Sequence, residues 1–215
     1  MDVAGEGAAT ARAARGMHDG GGAADGTADT VRAAVGGTAV AVRAGEVLAV
    51  CGDGSEAALT AAATASRVGD RVFDGLPEPH AAALRRRVVG TASTDHRLVP
   101  SLTALANAAL PLELDGWDGA AARDAASAAL RRVGLEHRAD AFPDDLLADE
   151  QRGVALARSV VGDRLLVLAD DPRDLLHVTL LRRLAEDGVA VLARTTALVR
   201  PTWADRLVVV PAVQL

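Results

Sequence analysis

Val47-Leu48-Ala49-Val50-Cys51-Gly52-Asp53-Gly54-Ser55 decides how this chain folds. An apolar run of this length, bounded by a glycine-rich turn, reads as a strand buried on both faces. Gly52 to Ser55 supplies the tight turn, and the alanine-rich stretch from Glu56 to Ser66 reads as a helix. On the amino-terminal side, Thr30 to Val42 reads as a hairpin around Gly36-Gly37. On the carboxyl-terminal side the pattern becomes helical between Leu102 and Arg132. Leu102, Leu105, Ala109 and Leu112 share one face there, and Ala120 to Val133 follows with Ala126 and Leu130 inward. Glu150 to Val161 reads as a helix, Leu165 to Ala169 as a buried strand ending at Asp170-Asp171-Pro172, and Leu175 to Asp187 as a helix. Strands at Val189 to Ala193 and Leu207 to Val210 complete the pattern. Strands alternating with helices predict an α/β fold with a largely parallel sheet, interrupted by a helical insertion.

Composition narrows the function classes. The chain has 215 residues, 50% of them hydrophobic, which suits one domain with room for a subdomain. Lysine, isoleucine and tyrosine are absent, and arginine carries the positive charge. A net charge of -6 with acids and arginines interspersed provides no basic stripe, so no nucleic-acid partner is expected. The single Cys51 lies inside the apolar run, which marks a buried structural thiol and excludes a disulfide framework. No apolar run approaches the roughly 18 to 20 residues that cross a bilayer, and the first residues lack the order of a secretory signal, so a cytoplasmic location is expected. Residues 1–28, rich in Gly, Ala and Asp without a sustained period, are expected to be disordered. The histidines share no ligand spacing and are expected to be surface or packing residues.

The run Leu98-Val99-Pro100-Ser101-Leu102-Thr103-Ala104-Leu105-Ala106-Asn107-Ala108-Ala109-Leu110-Pro111-Leu112-Glu113-Leu114 resembles the "LLP-x-LTALEN-x-ALPL" stretch of the ATP-binding subunits of ABC transporters. The branch in question serves lipoprotein release, macrolide export and cell-division complexes. Arg132-Val133-Gly134-Leu135, Arg138-Ala139-Asp140-Ala141-Phe142-Pro143, Val154-Ala155-Leu156-Ala157-Arg158 and Leu166-Val167-Leu168-Ala169-Asp170-Asp171-Pro172 follow in the family's order. The likeness runs from about residue 40 to the end. It implies a P-loop NTPase fold of the ABC ATPase type over residues 29–215. The α/β core would comprise residues 30–92 and 150–215, and the helical subdomain residues 93–149.

The same resemblance implies ATP and Mg²⁺ as cofactors. It places Gly52, Gly54, Ser55 and Thr60 at the phosphates, Asp170 at the metal and Asp171 at the catalytic carboxylate. Yet the loop's later Gly-Lys-Ser/Thr positions fall on Ala57, Ala58 and Leu59, and Asp53 and Glu56 bring negative charge to it. A phosphate loop works through backbone N–H groups at a helix N-terminus, a lysine on the β/γ oxygens and a hydroxyl on Mg²⁺. The family's metal-sensing glutamine falls on Thr94. Its "LSGGQ" signature aligns with Leu146-Leu147-Ala148-Asp149-Glu150, and its switch histidine falls within Arg194-Thr195-Thr196. The connection from Pro172 to Leu180 is shorter than the family's. Two readings of Gly52 to Thr60 stand side by side: a weakened phosphate cradle, or a strand-to-helix turn kept for the fold. Asp170 likewise reads as a metal ligand or as a cap on the turn after its strand. The expectation is a subunit peripheral to the inner face of the cell membrane, partnered by a transmembrane permease. It would pair as a homodimer, or as a heterodimer with a competent ABC ATPase, with ATP binding and hydrolysis weakened or lost. The alternative is a scaffold or regulatory partner that uses no nucleotide.

Overall fold

The computed structural model describes residues 29–35, 37–92, 97–172 and 174–212. The segment 1–28, expected to be disordered, and Thr94, aligned with the family's glutamine, lie outside the described residues. The chain opens with an antiparallel hairpin, β1 (Asp29–Val35) and β2 (Thr38–Arg43), followed by β3 (Val47–Cys51) and α1 (Ser55–Ala63). A short antiparallel pair, β4 (Arg67–Val68) and β5 (Arg71–Val72), leads to α2 (Glu78–Val88) and β6 (Val89–Ala92). The helical segment holds α3 (Ala104–Leu114) and α4 (Gly119–Arg132). It is followed by α5 (Ala148–Val160), β7 (Leu166–Asp170), α6 (Leu175–Glu186), β8 (Ala190–Arg194) and β9 (Arg206–Val209).

Five strands form one sheet in the order β6-β7-β8-β3-β9, and every described pairing in it is parallel. Both faces are covered, which is why these strands read as unbroken apolar runs. Alternation along each strand divides the core in two. Val47, Ala49, Val167, Ala169, Val191 and Ala193 face α3, α4, α5 and α6. Leu48, Val50, Leu166, Leu168, Ala190 and Leu192 face α1, α2 and the hairpin. Each fully buried Leu or Val contributes about 1.5 to 3 kcal/mol relative to exposure. The helices are built to the same plan: Ala122, Ala126, Ala129 and Leu130 form the buried stripe of α4, and Asp118 caps it by accepting from the Ala120 and Ala121 N–H groups at 3.0 and 3.3 Å.

Strand ends differ from the periodicity reading by one residue at β7, β8 and β9, within the ordinary uncertainty of element boundaries. Helix α2 was not legible in the sequence. Ala81 is its one fully buried residue, and Arg85-Arg86-Arg87 occupies its last turn, so the apolar stripe that would announce it is almost missing.

Candidate functional site

Parallel strands place their carboxyl ends along one edge, and a ligand of an open α/β sheet binds in the crevice there. Val50 and Asp170 are both in register with Arg194 on the strand between them, so the turn after β3, the end of β7 and the end of β8 share that edge. With strands about 4.8 Å apart, the ends of β3 and β7 are separated by about 10 Å. Backbone bonds tie the three ends together: the Thr195 N–H donates to the Val50 carbonyl at 2.9 Å and the Asp171 N–H to the Arg194 carbonyl at 3.0 Å.

The turn after β3 is short. Three residues, Gly52, Asp53 and Gly54, separate the strand from α1, and Ser55 is already helical. Gly52 has φ of +90°, which glycine adopts freely, and a Cβ built on it would lie 2.6 Å from the Val210 carbonyl oxygen. Gly54 has an ordinary φ of -87°, but a Cβ there would lie 2.2 Å from the Pro211 carbonyl oxygen. The space against both glycines is therefore taken by the chain's own backbone beyond β9. That segment is also bonded to the turn: the Val210 N–H donates to the Cys51 carbonyl at 2.8 Å, and the Gly54 N–H to the Val210 carbonyl at 3.1 Å. No side chain caps α1.

Of the four residues assigned to the phosphates, Gly52, Gly54 and Ser55 lie together in the turn, with the Ser55 N–H bonded to the Gly52 carbonyl at 3.0 Å. Thr60 does not join them. It sits on the second turn of α1, exposed, and its Oγ1 donates to the Glu56 carbonyl at 3.2 Å. Ala58, aligned with the lysine, is also inside the helix, fully buried in the core beneath α1 with Leu48 and Val50. The lysine position thus points into the sheet packing.

Asp170 ends β7 and is already ion-paired: Arg194 Nε donates to its Oδ1 at 2.5 Å. Asp171 has φ of 49°, the one positive value at a non-glycine among the described residues. Aspartate tolerates this conformation better than most side chains. Thr195 is 7% exposed, and its Oγ1 accepts from the Ala197 N–H at 3.2 Å, so the hydroxyl nearest the family's histidine position serves the local turn.

The signature-aligned stretch opens α5. Leu147 is 73% exposed and has no side-chain acceptor, so the cap is one-sided: Glu150 Oε2 accepts from the Leu147 N–H at 2.8 Å. Glu150 also lies 3.2 Å from Arg138, and Asp149 pairs with Arg152 one turn along the helix. Gln151 donates to the Pro143 and Leu146 carbonyls at 2.9 and 3.2 Å, holding the preceding loop against α5. His177 is buried at the start of α6; burial lowers its pKa below the ordinary histidine value, and Asp174 offsets this only in part. The residues that sequence reasoning missed are Val210 and Pro211. They carry no motif, and only the pairing of β3 with β9 brings them to the turn.

No family model matches the chain. Two curated relatives are each 35% identical to it: the lipoprotein-releasing system ATP-binding proteins LolD of Hyphomonas neptunium, over 133 residues, and of Gluconobacter oxydans, over 136 residues. The matched part covers 58% and 60% of this chain, and the chain spans 58% and 59% of the length of these relatives. Among solved structures, the dimeric bacterial ABC transporter cassette MJ0796 superposes with a TM-score of 0.64 at 23% identity, covering 85% of this chain and 92% of that one. Its post-hydrolysis form bound to ADP and Pi gives 0.65 at 23% identity, with 85% and 91% covered. cbiO1 of Clostridium perfringens, part of the ABC transporter complex cbiONQ, gives 0.66 at 19% identity, with 85% and 83% covered. By fold the chain is α/β, with the architecture of the ABC transporter cassettes among solved structures. Its sequence likeness is to the ATP-binding subunits of ABC transporters, with LolD proteins of two bacteria as examples.

Proposed function

We propose that this chain is the cassette-type subunit of an ABC transporter, associated with a membrane permease, in which ATP binding and hydrolysis are weakened or lost. The single observation that carries the loss is the turn after β3. Its two glycines pack against the Val210 and Pro211 carbonyl groups, and the lysine-aligned Ala58 is buried in the core. A triphosphate bound at this edge would meet Asp53 and Glu56 without the ammonium that normally offsets its charge. Like charges about 5 Å apart at an effective dielectric near 20 repel by roughly 3 kcal/mol. The residues present therefore do not fit ATP and Mg²⁺ as a working pair, and no catalytic step is assigned to Asp171.

The LolD likeness supports a role beside a permease, and the dimeric cassette MJ0796 supports pairing with a second cassette, either a copy of this chain or a competent sister. Among the described residues no helix is long and apolar enough to cross a membrane, which is compatible with a peripheral place at the inner membrane face. The division into a core of residues 30–92 and 150–215 and a helical subdomain of residues 93–149 belongs to the same proposal. A second reading, a scaffold that uses no nucleotide at all, is favoured by one observation: Asp170, the metal candidate, is held by Arg194.

The two readings separate on a measured ATP affinity. Purified protein is expected to show no Mg²⁺-dependent turnover above a denatured control. Weak, saturable ATP binding favours the subunit with a weakened site, and none favours the scaffold. Turnover of about 1 per second that disappears in Asp171→Ala would overturn both, since that rate lies within the ordinary enzyme range.

A further inference from the structure

Two concavities meet beside the edge strand β6, away from the carboxyl edge. The larger, of about 650 Å³, is bordered by Phe73, Leu84, Trp117, Asp115 and Arg164. The smaller, of about 410 Å³, lies between β6, α3 and α5, with Val89, Leu110 and Pro111 as apolar wall and Arg86, Arg158 and Arg164 as cations. Arg164 and Asp115 border both.

Arg164 is 9% exposed. One end of its guanidinium donates to the Arg86 carbonyl, and its Nε is buried without a hydrogen-bond partner. No carboxylate among the described residues forms an ion pair with it. Arg158, half-buried, donates to the Arg97 carbonyl at 2.9 Å and has no ion pair there either. Burial depresses the pKa of both guanidinium groups, and at Arg164 the charges of Asp115 and Asp163 offset part of it. Asp115 is the one acid lining the smaller cavity, and Arg87 already engages it, with Nε 4.0 Å from the carboxylate and Nη2 donating to its carbonyl at 3.1 Å. Buried charges in proteins are ordinarily paired, because an uncompensated one costs several kcal/mol in a medium of low dielectric. Here the buried Arg164 and half-buried Arg158, together with the exposed Arg86, line a cavity that holds one carboxylate, Asp115, and lies within the size range of small-molecule sites.

We propose that the smaller cavity binds a compact anion, a phosphate or a short-chain carboxylate, held by Arg86, Arg158 and Arg164 with Val89, Leu110 and Pro111 against its apolar part. Guanidinium groups suit both head groups, since their planar fork can donate two parallel hydrogen bonds. The site is independent of the turn after β3. It borders the opposite edge of the strand order, three strands or about 15 Å away.

The test uses the full chain, titrated calorimetrically with inorganic phosphate and separately with succinate, ionic strength being held constant with chloride. One saturable site is expected for at least one probe, and which probe binds identifies the head group. Arg158→Gln is expected to weaken binding about tenfold or more, the loss of one charge-assisted contact. Arg131→Gln, at an exposed arginine paired with Glu136, is expected to change nothing. Arg164→Gln should abolish binding. If that variant does not fold, Arg158→Gln and Arg86→Gln carry the comparison. Absence of saturable binding by either probe, or equal binding in Arg158→Gln and Arg131→Gln, overturns the proposal. A nucleotide signal lost in Arg158→Gln belongs to this cavity and leaves the reading of the β3 turn standing.

Discussion

The turn after β3 and the loop that enters α3 both align with family motifs, and they keep different things. At Leu98 to Leu114 the pattern is nearly complete, and the structure shows an internal use for it. Asn107 is fully buried; its Oδ1 accepts from the Val99 N–H at 2.8 Å, and its Nδ2 donates to the Val99, Leu102 and Thr103 carbonyls at 3.1, 2.9 and 3.1 Å. One side chain thus satisfies the backbone of a loop that has no ladder of its own. Thr103 adds the cap of α3, accepting from the Ala106 N–H at 3.2 Å. At Gly52 to Thr60 the aligned Gly52 remains, with Gly54 beside it, also for an internal use, while the later glycine and the groups that would act on a phosphate are replaced. The difference separates residues that serve the chain from residues that would serve a ligand.

The largest expected effect breaks or upholds that contrast directly. Ala58→Lys, which restores the aligned lysine, places an ammonium in the core beneath α1 and is expected to destabilise the fold by about 4 kcal/mol, with no gain in ATP affinity. A melting temperature within a few degrees of the parent, together with ATP binding, would mean that α1 starts later in solution and that a phosphate loop can form.

Next in size, Asn107→Ala should cost about 3 kcal/mol, because it leaves the part-buried Val99 N–H and Leu102 carbonyl without the partner that Asn107 supplies and removes a second donor from the Val99 and Thr103 carbonyls. For a chain of this length that lowers the melting temperature by roughly 6 to 12 °C. Denaturant unfolding that loses less than about 1 kcal/mol would show that the loop satisfies itself and that the motif is kept for another reason.

Gly54→Ala is expected to cost about 2 kcal/mol in the absence of any nucleotide, since its Cβ must displace the Pro211 carbonyl. The φ at this position suits alanine, so the cost is steric alone. If thermal unfolding of the variant matches the parent, the segment at Val210 and Pro211 does not hold the turn, and the space against Gly54 is open to a ligand.

Much of the fold was legible because one-dimensional periodicity reports burial. The runs of β3, β7 and β8, the alanine-rich α1 and the stripe of α4 all show it within windows shorter than twenty residues. Sheet order was not, since the partners of β3 are β8 and β9, far along the chain, and no local pattern specifies which buried strands pair. At the site, Gly52, Gly54, Asp170 and Asp171 could be named from sequence. What each of them touches could not. Thr60 was assigned by counting along a motif, but the helix begins at Ser55, and the count carries Thr60 past the turn.

The sequence by itself determined an α/β chain with a glycine turn after its first core strand, no lysine to place there, and carboxylates at the end of β7. Those follow from residue chemistry and local spacing alone. Only the tertiary structure decided that the Val210 and Pro211 backbone closes on the two glycines, that Arg194 pairs with Asp170, and that Arg158 and Arg164 meet at one cavity without an ion pair among the described residues. Each of these joins residues that the sequence keeps apart. The energy of such contacts depends on distance and burial, which exist only once the sheet has assembled.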